Sequence, residues 1–468
     1  MKNAFRRTAL LPTAVLLAIT ALPGLAHGED LLEVYQQARQ SDPVLAQAEA
    51  QNLATRENIT QARAQLLPQI SGSYSYNQSH TTSSSTQPFA TDTGNFQVFS
   101  VHSTSDDYGT TLQGQLNQTL VDFSKYANLK TSHSQADSQN EMYRGAEQSL
   151  IVRVAQAYFN VLTAFDQLTF AQAQEKALSK QLDQAQQRYD VGLSAITDVN
   201  EAKANHDAST ADVINAQNAL DDAREALTQI TGQTFGTLEP LRDDLPMDPP
   251  TPNDQKAWVD KALSQNPQVL AQRYQVDAAE HSINSARAGH LPTLGASVIY
   301  TRSPGWSDLD SARYGGSIHT NSNRETASVG IVLNIPIFSG GATQSRVRQS
   351  IYQRDAAQDL LEQDRRQVIR DTRNAFRSVV AGISEVEARR QAVVSAKSAL
   401  DATQAGFEVG SRNIIDVLNS QQQLFQARSA YSQARHNFIM NKLLLKQSAG
   451  TINFDDLKAV NALLVAPD

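Results

Sequence analysis

Apolar positions along this chain follow two periods, and the order of the periods is given twice. From Asp30 to Leu66, apolar and alanine positions recur every three or four residues, which predicts helix, and Leu67-Pro68 stops it. Ile70, Gly72, Tyr74 and Tyr76 then alternate with Ser71, Ser73 and Ser75, the period of a strand with one small polar face. Residues 78–107 are rich in Ser, Thr, Asp, Asn and Gly and predict a surface loop. After it, Leu112, Gly114, Leu116 and Leu120 alternate with Gln113, Gln115, Asn117 and Thr119. The pattern is a hairpin over 69–121, with strands at 69–77 and 109–121. Leu150, Ile151, Val154, Ala157, Tyr158, Val161, Leu162, Phe165 and Leu168 next step by threes and fours, and no proline intervenes between Pro88 and Pro240. A helix over 124–190 would be roughly 100 Å long at about 1.5 Å per residue. The chain turns at Val191-Gly192 and is helical again over 197–231.

The second half repeats the first. A helix precedes a hairpin over 293–338, with strands at 293–301 and 327–338 and a loop over 302–326; a long helix over 341–408 turns at Val409-Gly410 into a helix over 413–449. Residues agree as well as periods. Val191-Gly192 and Ile196-Thr197-Asp198-Val199 read against Val409-Gly410 and Ile414-Ile415-Asp416-Val417, while Pro43, Ala62-Arg63-Ala64, Leu67-Pro68 and Tyr76 recur as Pro267, Ala286-Arg287-Ala288, Leu291-Pro292 and Tyr300. A unit of about 220 residues is far longer than the ~20–50 of a solenoid, so it reads as one duplicated half. The expected organisation is a first repeat over 27–231, a linker over 232–254, a second repeat over 255–449 and a terminal segment over 450–468.

Helical patterns this long mean coiled-coil packing. Strands of about ten residues with one apolar face suit a membrane barrel, lipid outside and water inside. Any single hairpin of this kind also suits a half-buried soluble sheet. Four strands cannot close a barrel, however, and lipid tolerates no open sheet edge. The barrel must therefore be shared, and three chains would supply twelve strands. The expected fold is mixed: an outer-membrane β-barrel of four strands per chain and twelve per trimer, continued by a long α-helical coiled-coil barrel, with an internal two-fold repeat.

The amino terminus supports export. Lys2, Arg6 and Arg7 precede an apolar stretch from Ala9 to Leu22, and Gly24-Leu25-Ala26 offers small residues for cleavage, so 1–26 reads as a signal peptide. Its removal takes three cations and no acid, moving the formal net charge from -8 to -11. An acidic exported chain is a poor nucleic-acid binder. With no cysteine there are no disulfides and no acylated cysteine, so stability rests on packing. The nine histidines include no pair three or four apart, which argues against a zinc site. No phosphate-loop, dinucleotide or Gly-x-Ser-x-Gly pattern is present. Neither an enzyme nor a cofactor is expected.

Longer motifs carry a resemblance. Tyr35-Gln36-Gln37-Ala38-Arg39, Ala157-Tyr158-Phe159-Asn160-Val161-Leu162, Val191-Gly192-Leu193-Ser194-Ala195-Ile196-Thr197-Asp198-Val199, Gly289-His290-Leu291-Pro292-Thr293-Leu294 and Val393-Val394-Ser395-Ala396-Lys397-Ser398-Ala399-Leu400-Asp401 resemble the outer-membrane channel-tunnel (TolC) family over essentially the whole mature chain. The resemblance implies a homotrimer with a twelve-stranded barrel in the outer membrane, a twelve-helix tunnel in the periplasm and a mixed equatorial belt. It implies an exit duct for tripartite efflux pumps and type I protein secretion. An inner-membrane transporter would supply energy, a periplasmic adaptor (membrane-fusion) protein would bridge, and drugs, small toxins or unfolded proteins would pass. The chain ends at Asp468 without the family's long polar tail, and little functional loss is expected from that.

The turns at Gly192 and Gly410 are where function is expected to concentrate. By resemblance, the second helical pair closes the periplasmic end through polar links of Arg412 with Thr197 and Asp198, and Asp416 lines the constriction as a possible point of multivalent cation block. Phe407 stands where the family's tyrosine supplies a hydroxyl to Asp198, and Asn419 stands where the family has a second ring of aspartates. One link and one charged ring are thereby in question. A simpler reading stands beside this for Asp198 and Asp416: a carboxylate at a helix start gains about 0.3–1 kcal/mol from the dipole. Arg412 opposes that dipole and so suggests a partner elsewhere. A trimeric surface fibre or adhesin with a small barrel anchor would share the export signal and coiled coils, but would place its barrel at one terminus. A periplasmic helical adaptor would lack the alternating hairpins.

Overall fold

A computed structural model describes residues 29–90, 94, 96–311 and 316–466; the expected signal peptide lies outside them. Prolines shape the first helices of each half. The helix expected as continuous from Asp30 to Leu66 is two helices, α1 (Leu31–Ser41) and α2 (Pro43–Ala64). Asp42 between them is extended (φ -69°, ψ 116°), because a residue before proline is pushed away from the helical region. Its carboxylate accepts from the Leu45 amide at 2.8 Å, so the break also starts the next helix. The second half repeats the device: α5 (Gln255–Gln265) ends at Asn266, whose side chain accepts from Gln268 at the start of α6 (Pro267–Ala288).

The four strands are β1 (Gln69–Ala90), β2 (Phe96–Val121), β3 (Thr293–Ser311) and β4 (Gly316–Asn334), antiparallel in the order β1-β2-β3-β4. They correct two expectations. The segments 78–107 and 302–326, read as polar loops, lie mostly in strands; of these loop regions, 91–93, 95 and 312–315 are outside the described residues. The cause is a cross-strand ladder of polar side chains. Ser83 meets Ser103 at 2.7 Å, His80 meets Asp106 at 2.6 Å, Ser105 meets Ser307 at 3.1 Å and His319 meets Asp308 at 2.6 Å. Polarity there marks contact with water rather than irregular backbone. In addition, β4 stops at Asn334 instead of 338. Pro336 follows, and proline has no amide to donate to a ladder.

The register aligns the apolar face. Ile70, Leu116, Val298 and Val329 are successive partners in one row across all four strands. Toward the hairpin tips, a row of Gln78, Tyr108, Trp306 and Asn321 follows. Tyr108 and Trp306 stack there with ring centroids 5.4 Å apart. An apolar band bounded by aromatic rings is the lipid-facing arrangement of a membrane barrel. The outer edges of β1 and β4 have no strand partner among the described residues.

Two long helices leave the sheet. Helix α3 (Phe123–Asp190) has 68 residues and turns into α4 (Ile196–Thr231); α7 (Ala342–Glu408) has 67 and turns into α8 (Ile414–Ser448). A short α9 (Phe454–Asn461) closes the order. Helix α3 packs on α4, α6 and α8, and α7 on α6 and α8. The main core lies midway along α3, where Leu150, Val154, Tyr158 and Phe159 meet Phe438, Ile439 and Leu443 of α8 and Leu31 and Val34 of α1. The Tyr158 hydroxyl donates to the carbonyl oxygens of Glu239 at 2.9 Å and Glu29 at 3.2 Å, tying the linker and the chain start to this belt. Arg153 donates two bonds to Asp42, at 2.6 and 3.0 Å. Gly450 is required by close approach: a β-carbon would lie 2.5 Å from the Asn266 α-carbon.

Candidate channel gate at the helix tips

Both long helices end in the same way. Gly192 (φ 75°) follows α3; its amide donates to the Tyr189 carbonyl at 2.9 Å, and the Leu193 amide donates to the Arg188 carbonyl at 2.7 Å. At the end of α7, Gly410 (φ 77°) donates to Phe407 at 3.1 Å and Ser411 donates to Gly406 at 2.8 Å. This paired closure needs a left-handed residue, which glycine adopts without strain. It turns each helix back on itself within a few residues and places the starts of α4 and α8 side by side with the ends of α3 and α7.

On α4, Ala195 provides no side-chain cap, Thr197 is exposed and Asp198 lies half-buried in the first turn. On α8, the Asn413 side chain accepts from the Asp416 amide at 2.9 Å. Asp416 is thus in the first turn of a capped helix, with its own carboxylate unspent on capping. Asn419 is exposed three residues on, on the same side of α8. Within one chain the structure brings Arg412 to Asp416, Nη1 to Oδ2 at 3.6 Å, and not to Asp198. Both side chains are substantially exposed, and such a pair contributes little on its own. Arg412 can lie over the end of α7 because residue 406 is glycine: a β-carbon there would be 2.8 Å from the Arg412 γ-carbon.

Phe407 has a contact that the sequence did not disclose. Its ring packs against Leu178 of α3 and Ile414 and Leu418 of α8. The guanidinium carbon of Arg188, in the last turn of α3, sits 4.8 Å from the ring centroid. A cation over a ring is worth about 0.5–1 kcal/mol when exposed and about 2 when desolvated. The only signal in the sequence is that an arginine and an aromatic residue each precede a turning Val-Gly pair. Between the ends of α3 and α7/α8 lies a cavity of about 620 Å³, lined by Gln181, Gln184, Arg188, Gln404, Phe407 and Gln421 among others.

Among the described residues, no cluster of three or more His, Asp or Glu could hold a metal ion, and no helix is long and apolar enough to cross a membrane. A buried polar cluster sits instead between α3 and α8 at the equator. His436 is 5% exposed, and its Nδ1 lies 2.8 Å from the Thr163 hydroxyl. Burial, assisted by the neighbouring Arg435, pushes its pKa down to about 4. Asp166 accepts from Ser432 one turn away, and burial pushes its carboxyl up.

Comparison with known proteins agrees with this architecture. The family model described as "Outer membrane efflux protein" matches residues 34–233 and again 258–451. The chain is 37% identical over 464 residues to Outer membrane protein TolC of Escherichia coli (strain K12), covering 98% of this chain and 90% of that one. It is 30% identical over 438 residues to the alkaline protease secretion protein AprF of Pseudomonas aeruginosa, covering 93% and 87%. Among solved structures, the Campylobacter jejuni CmeC outer membrane channel superposes with a TM-score of 0.70 at 15% identity, covering 98% of this chain and 97% of that one. Export-type sequence, a lipid-patterned sheet, tunnel-length helices and these matches all lead to one assignment: the chain belongs to the family of outer membrane efflux proteins.

Proposed function

We propose that three copies of the chain close a twelve-stranded barrel in the outer membrane and a helical tunnel in the periplasm, serving as the exit duct of tripartite efflux pumps and of type I protein secretion. The observation that carries this is the four-stranded sheet with an aligned apolar face and two unpartnered edges, continuous with helices of 68 and 67 residues. Unpaired strand edges cost several kcal/mol per backbone group in lipid, and joining β4 of one chain to β1 of the next removes them. Passage is passive, with energy from an inner-membrane transporter reached through a periplasmic adaptor. Relatives named for protease secretion and for efflux support both kinds of cargo. The duplicated halves, 27–231 and 255–449, are the units that build the cylinder.

The gate lies at the periplasmic tips. Arg412, loosely held by Asp416 in its own chain, completes its pairing with Thr197 and Asp198 across the helix pairs or subunits. Asp416 rings the constriction, with Asn419 one turn above it. The test is mass in detergent together with conductance in a planar lipid bilayer. A trimer that conducts supports the reading, and a monomer that inserts and conducts ends it.

A further inference from the structure

We infer that Arg188 and Phe407 form a cation–π latch that holds the α3/α4 and α7/α8 pairs together at the closed tip. This rests on the channel reading above and assigns Arg188 a role in it. The two residues belong to different helices: Arg188 is in the last turn of α3, and Phe407 is the residue before the last of α7. Their side chains meet at 4.8 Å. Arg188 has no ion-pair or side-chain hydrogen-bond partner among the described residues, and its Nε is buried without an acceptor. The ring is therefore the group that orients the guanidinium. Phe407 also packs against the small apolar cluster formed by Leu178 of α3 with Ile414 and Leu418 of α8. One side chain of α7 thus meets a cation of α3 and an apolar cluster to which α3 contributes.

Position makes this a latch and not general packing. The contact stands one turn from both reversing glycines, far from the large equatorial cluster, in a small cluster of its own. The cavity beside it runs between the same two helix pairs, with Gln181 and Gln421 presenting buried oxygens that have no hydrogen-bond partner. At this level the pairs are joined by Arg188 on the ring and by Leu178 in the cluster with Ile414 and Leu418, so separating them at the tip requires that Arg188 leave the ring and that Leu178 leave that cluster. A phenylalanine serves this contact with no hydroxyl. The closure therefore lies in a half-buried aromatic contact where a hydroxyl–carboxylate bond would otherwise stand.

The experiment is single-channel conductance in planar bilayers of the full-length protein and its variants, with trimer mass in detergent as the control for assembly. Arg188→Gln should raise conductance severalfold, and Phe407→Leu should do the same. The double variant should open no further than either single one, because both remove one contact. Arg188→Lys, which keeps a cation over the ring, should stay close to the parent. Arg188→Gln indistinguishable from a conducting parent would overturn the latch, as would Arg188→Lys as open as Arg188→Gln. A parent that does not conduct would count against the channel reading instead. Should Phe407→Leu fail to assemble, the two Arg188 variants decide the matter.

Discussion

Arg412, just ahead of α8, meets Asp416 in the first turn of that helix at 3.6 Å, and this contact within a single chain leaves the arginine largely in solvent. A cation held so loosely at a helix start, where the dipole disfavours it, is free to exchange partners. Replacing it with serine should loosen the periplasmic end and raise single-channel conductance. Asp198→Ala should act in the same direction if the exchange partner is Asp198. Unchanged conductance in both variants would show that these residues only shape the helix starts.

Three Asp416 carboxylates around one axis would focus a negative potential in a low-dielectric constriction. The closed channel is expected to be cation-selective and to be blocked by trivalent cations from the periplasmic side. Asp416→Asn should abolish most of the block, and Asn419→Asp, adding a second ring one turn away, should strengthen it. Raising ionic strength should weaken the block in the parent. Equal block of Asp416→Asn and parent would place the constriction elsewhere.

At the equator, Asp42 is 3% exposed and bonded twice by Arg153. Burial opposes its charge, but the Arg153 hydrogen bonds and the Leu45 amide prevail and hold its carboxyl below the usual value. Arg153→Met should leave that carboxylate uncompensated. Breaking a buried pair costs about 3–5 kcal/mol; because Arg153 is partly exposed, about 2–3 kcal/mol is the expected loss, read from denaturant unfolding of the purified protein. The contribution is present above about pH 4, the ordinary carboxylate value, and is lost as pH falls through the lowered one.

His436 gives the opposite chemistry and the same sign. Its pKa is about 4 in the folded chain and about 6.5 when unfolded. The folded state thus binds fewer protons between those values. Stability should be full above the unfolded value and fall as pH drops, by at most about 1.4 kcal/mol per pH unit, until the folded value is passed. Thermal unfolding midpoints of the parent should decline across that window, and those of His436→Gln should decline less. Parallel curves would show that His436 titrates equally in both states.

Much of this was legible in the sequence, for definite reasons. Period, turning glycines and repeat offsets located the long helices to within a residue or so, because helices of this length present many turns of pattern. Proline placed the breaks at Leu67-Pro68, but the same residue type at Pro43 and Pro267 was read through, since a short helix on each side preserves the period. The hairpin tips misled for a different cause: Ser, Thr and Asp signal loops when backbone is solvated locally, yet here they pair across strands, a relation between residues dozens of positions apart. The Arg188–Phe407 contact was hidden likewise. It joins positions 219 residues apart; Phe407 stands out in the sequence only for a missing hydroxyl, and nothing there marks Arg188 as its partner.

The extended hairpins bear on how traffic is controlled. Residues that a loop-tipped barrel would have spare to fold inward over its mouth are here committed to a hydrogen-bonded ladder well beyond the row of Tyr108 and Trp306. Among the described residues the two ends therefore differ in kind: the hairpin end is held by a strand ladder, while the contacts proposed to adjust, Arg412 and Phe407 among them, lie about 100 Å away along α3 at about 1.5 Å per residue.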